Sequence, residues 1–217
     1  MPVRVGLQYI DIWKSSLEKS VQKYEAEEVE PGQIVFYGPS YFTRWSAAWE
    51  HRPLREELLG KSGKPCCVNR GFGSSCPEHQ LYYYPRMVRP LAPSVLVYGS
   101  WGNSDAFGYS NEEAFELAQR VVTYALTDFP ELRVYLGGAQ ATRDMDEETL
   151  ASRRAYSEML RKFAEETPRC TYFDPLSRKE LWKKDIFVED GVHYNQKGFD
   201  LYRDFFQEVL KDELEKF

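Results

Sequence analysis

This chain of 217 residues predicts an α/β fold, a parallel sheet covered by helices on both faces. Short apolar runs alternate with amphipathic helical stretches along its length. The runs are rich in β-branched and aromatic residues and are bounded by Gly or Pro, as strands buried on both faces are. No internal repeat, low-complexity tract or linker breaks the alternation, so the chain reads as one domain, with residues 1–30 as a helical extension packed on it.

In order, the strand candidates begin with Gln33-Ile34-Val35-Phe36-Tyr37, stopped by Gly38-Pro39. Cys66-Cys67-Val68-Asn69 is a weaker second, and Val95-Leu96-Val97-Tyr98 a third, closed by Gly99. Leu132-Arg133-Val134-Tyr135-Leu136 ends at Gly137-Gly138, and Cys170-Thr171-Tyr172-Phe173 at Asp174-Pro175. Between them, Ser110 and Glu113 form a capping box ahead of an apolar stripe, Phe115, Ala118, Val121, Val122, Ala125 and Leu126. Ala155, Met159, Leu160 and Phe163 make a second stripe, and Phe199, Tyr202, Phe205, Phe206, Val209 and Leu210 a third. Trp45, Ala48, Trp49 and Leu58 suggest a further helix after the first strand, and residues 8–30 an N-terminal one. Tyr82-Tyr83-Tyr84 reads as helix or loop packing in preference to a carbohydrate platform, and Lys211 to Lys216 as a solvated helix end.

Composition narrows the functional classes. Twenty-eight Lys and Arg against 34 Asp and Glu leave a net charge of −6, which argues against nucleic acid as the main partner, since phosphate binding needs clustered cations. No run approaches the roughly 18 apolar residues of a membrane-spanning helix. The start, Met1-Pro2-Val3-Arg4-Val5-Gly6-Leu7, lacks the pattern of a secretion signal. Four cysteines, Cys66, Cys67, Cys76 and Cys170, are too few for a disulfide scaffold and read as reduced thiols of a cytoplasmic protein.

Parallel sheets bind ligands at the carboxyl ends of their strands. After the first strand comes Gly38-Pro39-Ser40, a serine on a tight turn entering a helix. That placement suits a nucleophile whose product is an oxyanion, and equally an ordinary N-cap. After the second comes Asn69-Arg70-Gly71-Phe72-Gly73-Ser74, whose glycines admit close backbone approach or a plain turn. After the third comes Gly99-Ser100-Trp101-Gly102-Asn103-Ser104-Asp105, where an amide donor could reach the same crevice. Of the three histidines, His51 reads as solvated and His79 as a surface-loop residue. His193 differs, because Asp190 precedes it by three residues across Gly191, which lets the loop fold back. A carboxylate on one imidazole nitrogen fixes the tautomer and leaves the other to accept a hydroxyl proton.

Taken together, the order Ser, Gly-rich turn, Asn, Asp-x-x-His resembles the SGNH hydrolases, the GDSL-type lipases and acylhydrolases, over roughly residues 30–210. The likeness includes Trp45 after Gly38, Asn69-Arg70-Gly71-Phe72-Gly73, and Asp190-Gly191-Val192-His193-Tyr194-Asn195 leading to Gly198-Phe199. It is similar to the bacterial esterase branch with a platelet-activating-factor-acetylhydrolase-like fold. The resemblance implies a three-layer αβα sandwich on a five-stranded parallel, flavodoxin-like sheet. It implies Ser40 as nucleophile, His193 as general base and Asp190 as its orienter, with no cofactor and no metal. The oxyanion donors it implies are the Ser40 N–H, the Ser74 N–H (Gly73 if the loop shifts by one) and Asn103, whose distance to Gly108 fits the family spacing, with Ser104 as the alternative to Asn103. Pro39 stands where the family has Asp. The implied activity is hydrolysis of short-chain acyl or acetyl esters of small molecules or carbohydrates. The rival reading is an impaired member that binds an acylated or glycan ligand, and homo-oligomerisation stays open. The expected acidic limb of activity is one ionisation near 6.5, raised by Asp190.

Overall fold

The computed structural model describes residues 14–104 and 107–217. Five strands, β1 (Ile34–Gly38), β2 (Cys67–Gly71), β3 (Val95–Gly99), β4 (Arg133–Gly137) and β5 (Cys170–Phe173), form one sheet in the order β2-β1-β3-β4-β5. Every neighbouring pair is parallel. Gly38 lies opposite Gly71, and Gly99 opposite Gly137, so these four strands leave the sheet at one rim. Each of the five strand candidates becomes a strand within a residue or two of its expected ends.

The period of two decides the layers. Val35 and Tyr37 of β1, Leu96 and Tyr98 of β3, and Val134 and Leu136 of β4 point into one core, with α1 (Lys14–Glu25), α4 (Pro77–Met87), α5 (Asn111–Asp128) and α6 (Glu147–Glu166). Ile34, Phe36, Val95, Val97 and Tyr135 point into the other, with α2 (Ser40–Thr43), α3 (Leu54–Glu57), α7 (Gln196–Val209) and α8 (Lys211–Leu214). The result is the three-layer α/β/α sandwich. The capping box forms as read: the Glu113 N–H donates to Ser110 Oγ at 3.2 Å and the Ser110 N–H to the Glu113 carboxylate at 3.0 Å. Asn195 caps α7 with a single bond, its Oδ1 accepting from the Gly198 N–H at 3.1 Å.

The second core is aromatic. Trp45 is fully buried against Phe199, Tyr202 and Phe206, with ring centroids 5.6–6.2 Å apart. Its indole N–H donates to the buried Glu57 carboxylate at 2.6 Å, and Arg52 adds an ion pair to Glu57 at 3.2 Å. That pairing lets a carboxylate sit inside the core, where an unpaired charge is strongly disfavoured.

Several local expectations are corrected. No single helix spans residues 45–58. The chain makes α2, a 3₁₀ turn at Ala47–Trp49 and α3, because Glu50 is left-handed and Pro53 disfavours helix in the residue before it. Helix α4 lay hidden behind its two prolines; Pro77 sits at its first turn, where the missing N–H costs nothing. His79 is therefore a buried helical residue, its Nδ1 accepting from the Cys76 N–H at 3.2 Å, and not a surface one. Tyr83 and Tyr84 on the same helix are core residues, with Tyr82 exposed. His51 is half-buried, its ring 4.7 Å from Phe199, instead of solvated. On α6 the buried stripe is Arg153, Tyr156, Ser157, Leu160 and Ala164, shifted off the exposed Ala155. The C-terminal run is not wholly solvated: Glu213 is buried, pairing with Arg133 and accepting from the Tyr135 hydroxyl. The helix read over residues 8–30 is present over Lys14–Glu25, packing Leu17 and Val21 inward; residues 1–13 lie outside the described residues.

Candidate active site

Three strand ends build the site. After β1, Pro39 is extended and Ser40 begins α2, placing the hydroxyl at the rim of the sheet. After β2, the Asn69 side chain ties the segment down: its Oδ1 accepts from the Gly71 N–H at 2.8 Å and its Nδ2 donates to the Phe42 carbonyl at 2.6 Å. Gly71 packs directly on α2, since a Cβ there would fall 2.3 Å from the Thr43 nitrogen. After β3, Gly102 lies against Pro39, and Asn103 donates an amide N–H to the Ser75 carbonyl at 2.9 Å. Asp105 lies outside the described residues.

The fourth piece comes from the far end of the chain. Val188 and His193 close a hairpin, with the Val188 N–H on the His193 carbonyl at 2.9 Å. Gly191 turns it at φ 69°, a left-handed conformation that glycine adopts without strain. The Arg143 N–H, donating to the Gly191 carbonyl at 2.7 Å, anchors the tip beside the segment after β4. Asp190 Oδ1 accepts from the backbone N–H groups of Val192 and His193, both at 2.9 Å. Asp190 Oδ2 lies 2.7 Å from His193 Nδ1, and His193 Nε2 lies 2.7 Å from Ser40 Oγ.

Electrostatics fixes the direction of these bonds. Burial opposes the charge on Asp190, but its two backbone donors and the imidazole together outweigh burial and lower the carboxyl to about 2. An ionised carboxylate only accepts, so His193 Nδ1 carries the proton and Nε2 accepts from the Ser40 hydroxyl. His193 itself titrates below the ordinary histidine value, first because it is buried and then because of the Arg44 charge, against the upward pull of Asp190. The expected upward shift is thus overturned: desolvation of the imidazolium exceeds the carboxylate's attraction.

The structure brings Ser40, His193 and Asp190 into one hydrogen-bonded chain. Gly73 adjoins Ser40: a Cβ on it would stand 3.7 Å from Ser40 Cβ. Ser74 is exposed, with a left-handed φ of 65°. Asn103, also left-handed at φ 61°, spends one amide proton on Ser75 and keeps a second. A cavity of about 10 Å³ lies beside the Ser40 turn, lined by Pro39, Tyr41, Trp101, Gly138, Gln140 and Tyr202 among others. Sequence reasoning missed Arg44, whose guanidinium reaches Asp190 Oδ2 at 3.1 Å; no local pattern marks it, because the contact is made across 146 positions of chain.

No protein-family model matches the sequence, and no curated protein matches it. Solved structures match throughout. A protein provisionally named a platelet activating factor, from Streptococcus pneumoniae, superposes with a TM-score of 0.71 at 17% identity, covering 97% of this chain and 100% of that one. This is the fold of the SGNH, GDSL-type acylhydrolases. Two further solved structures are similar. A protein provisionally named an acylhydrolase, from Bacteroides fragilis, gives a TM-score of 0.71 at 18% identity over 93% of this chain and 98% of its own. The psychrotrophic esterase EstA from Pseudoalteromonas, solved inhibited by monoethylphosphonate, gives 0.64 at 14% identity over 84% and 98%. Among the described residues no helix is long and apolar enough to cross a membrane.

Proposed function

We propose that this SGNH-fold protein is a serine esterase acting on short-chain acyl or acetyl esters through Ser40, His193 and Asp190. The observation that carries the reading is the unbroken hydrogen-bonded chain from Ser40 Oγ to Asp190 at the carboxyl ends of the strands. In acylation Ser40 Oγ attacks the ester carbonyl carbon while His193 Nε2 takes its proton. The tetrahedral oxyanion rests on the Ser40 N–H, on the Gly73 or Ser74 N–H, and on the free amide proton of Asn103. The nearness of Gly73 to Ser40, where an added Cβ would come within 3.7 Å, supports Gly73 as a candidate for that donor. Collapse returns the proton from His193 to the leaving alcohol, and water repeats the sequence to release the acid and restore Ser40.

Free cysteines support a cytoplasmic setting. A fluorophosphonate probe tests the nucleophile: labelling should map to Ser40, and Ser40→Ala should abolish both labelling and hydrolysis. A nitrophenyl ester series from acetate to laurate, run beside acetylated xylan, reads the acyl length and the leaving group. A wild-type protein that neither labels nor hydrolyses any of these esters, yet binds acylated xylan, would make it a binding protein instead.

A further inference from the structure

Arg44 ends the turn that Ser40 begins, its N–H donating to the Ser40 carbonyl at 2.8 Å, so one helical turn joins nucleophile and cation. Its guanidinium lies 4.3 Å above the Trp49 ring on one side and 3.1 Å from Asp190 Oδ2 on the other. That oxygen is the one that accepts from His193 Nδ1. We propose that Arg44 is a positioning residue of the triad: clamped between the Trp49 indole and the Asp190 carboxylate, it holds that carboxylate on His193 and offsets part of its charge there. The proposal rests on the esterase reading of the same site.

Asp190 is 38% exposed and stands at a hairpin tip, so its orientation depends on its partners. Oδ1 is held by two backbone N–H groups, but among the described residues Oδ2 has only the imidazole and Arg44. Without the guanidinium, rotation of the carboxylate is opposed at Oδ2 by the imidazole alone, the group it has to orient. Arg44 is itself restrained, since stacking on an indole adds to the ion pair and leaves the side chain 22% exposed.

The other groups facing the imidazole do not substitute for it. Tyr41 offers a ring 5.9 Å from His193. Arg143 packs on Gly191, but its guanidinium is engaged with Asp144 at 2.8 Å and with the Val188 carbonyl at 3.3 Å. Arg153 is bonded to the Gln140 carbonyl at 2.8 Å and lies 5.0 Å above the Trp101 ring. Glu189, next to Asp190, is an exposed-loop carboxylate on the same hairpin. Among the described residues Arg44 is thus the cation in contact with Asp190. Its charge acts on His193 in the sense opposite to Asp190, disfavouring imidazolium while the carboxylate still fixes the tautomer.

The test compares Arg44→Gln and Arg44→Lys with the wild type by ¹⁵N-detected titration of the His193 imidazole and by the pH profile of nitrophenyl acetate hydrolysis. In Arg44→Gln the His193 midpoint should rise by about half a unit or more, carrying the acidic limb with it. Its kcat should fall about tenfold with KM changed less than about twofold, the split expected of an interaction that does not touch substrate. Arg44→Lys should restore the midpoint but not the full kcat, because an ammonium lacks the planar face that stacks on Trp49. A His193 midpoint within about 0.2 units of wild type, or a loss confined to KM, would overturn the proposal. Should Arg44→Gln fail to fold, Trp49→Ala, at a 46% exposed indole, must give a smaller rise in the same direction, and no rise overturns it. If the wild type hydrolyses no ester, the esterase reading falls while the imidazole titration still decides the role of Arg44.

Discussion

Replacing Gly71 by Ala should displace the nucleophile without touching it. A Cβ at Gly71 would lie 2.3 Å from the Thr43 nitrogen, 2.6 Å from Phe42 Cβ and 2.7 Å from the Phe42 carbonyl carbon. Two of these atoms are backbone, so no rotamer change relieves them. Restoring ordinary contact moves α2 away from β2 by roughly 1 Å, and α2 has little room. Phe42 is packed against Phe36 and Phe206, with centroids 5.4 and 6.2 Å away. Overpacking of this kind costs about 1–3 kcal/mol. In a domain this size that lowers the melting temperature by roughly 2–12 °C. A shift of about 1 Å at the reacting group costs on the order of 100-fold in rate. Gly73→Ala is the matched control: its Cβ would sit 3.7 Å from Ser40 Cβ and 3.9 Å from Thr43 Oγ1, ordinary contacts. It should keep the wild-type melting temperature and lose rate only by crowding the substrate. Calorimetry and kcat/KM for nitrophenyl acetate measure both variants. Gly71→Ala with activity within about threefold of wild type and an unmoved melting temperature would refute the claim that this contact positions Ser40.

Four further outcomes follow from the same geometry. Because burial holds His193 below its ordinary value, the acidic limb of kcat/KM should lie below about 6.5, with full activity at neutral pH; a midpoint above 7 contradicts it. The same depression makes the imidazole's contribution to stability complete above its unfolded value and lost as pH falls through the folded one, which acid titration of the Ser40→Ala protein can follow. Asp190→Asn should lower the rate by about 10⁴-fold, since an amide N–H facing His193 Nδ1 favours the tautomer that cannot accept the Ser40 proton; a loss under tenfold would remove Asp190 as orienter. Asn103→Ala should reduce kcat about 100-fold and Ser104→Ala leave it nearly unchanged; the reverse result moves the donor by one residue.

The sheet was legible because its strands are short and bounded by Gly or Pro, and β1 and β3 are buried nearly throughout; β5, expected to be buried on both faces, instead leaves Thr171 exposed at the sheet edge. Helix α5 was legible for a similarly local reason, its Ser110–Glu113 box. What failed locally was decided at a distance. His79 looks like a surface residue until Pro77 is seen to start a helix whose inner face it occupies. Glu213 looks solvated until Arg133 and Tyr135, both on β4, reach it. At the site, the residues after β1 and the Asp190–His193 pair follow from spacing. Arg44 does not, because nothing in the sequence says that a hairpin from residues 187–194 will land one helical turn from Ser40. The direction of the His193 shift was hidden for the same reason: the adjacent carboxylate is visible in sequence, and desolvation is not.

Ser40 and His193 are 153 positions apart and meet across 2.7 Å. Every strand pairing in the sheet needs a crossover, so loop closure must precede contact at each stage, and folds of this kind form slowly. The hairpin that carries His193 is held by Asn195, the cap of α7, whose Nδ2 donates to the Asp185 carbonyl at 2.9 Å. On the esterase reading, reactivity at Ser40 has to wait for the last long helix to dock, well after the Ser40 turn has left the ribosome. A half-made chain would present a serine with no base beside it and would be chemically silent toward the esters around it. During refolding, probe labelling of Ser40 should accordingly trail the recovery of secondary structure and report the moment at which the two ends of the chain have found each other.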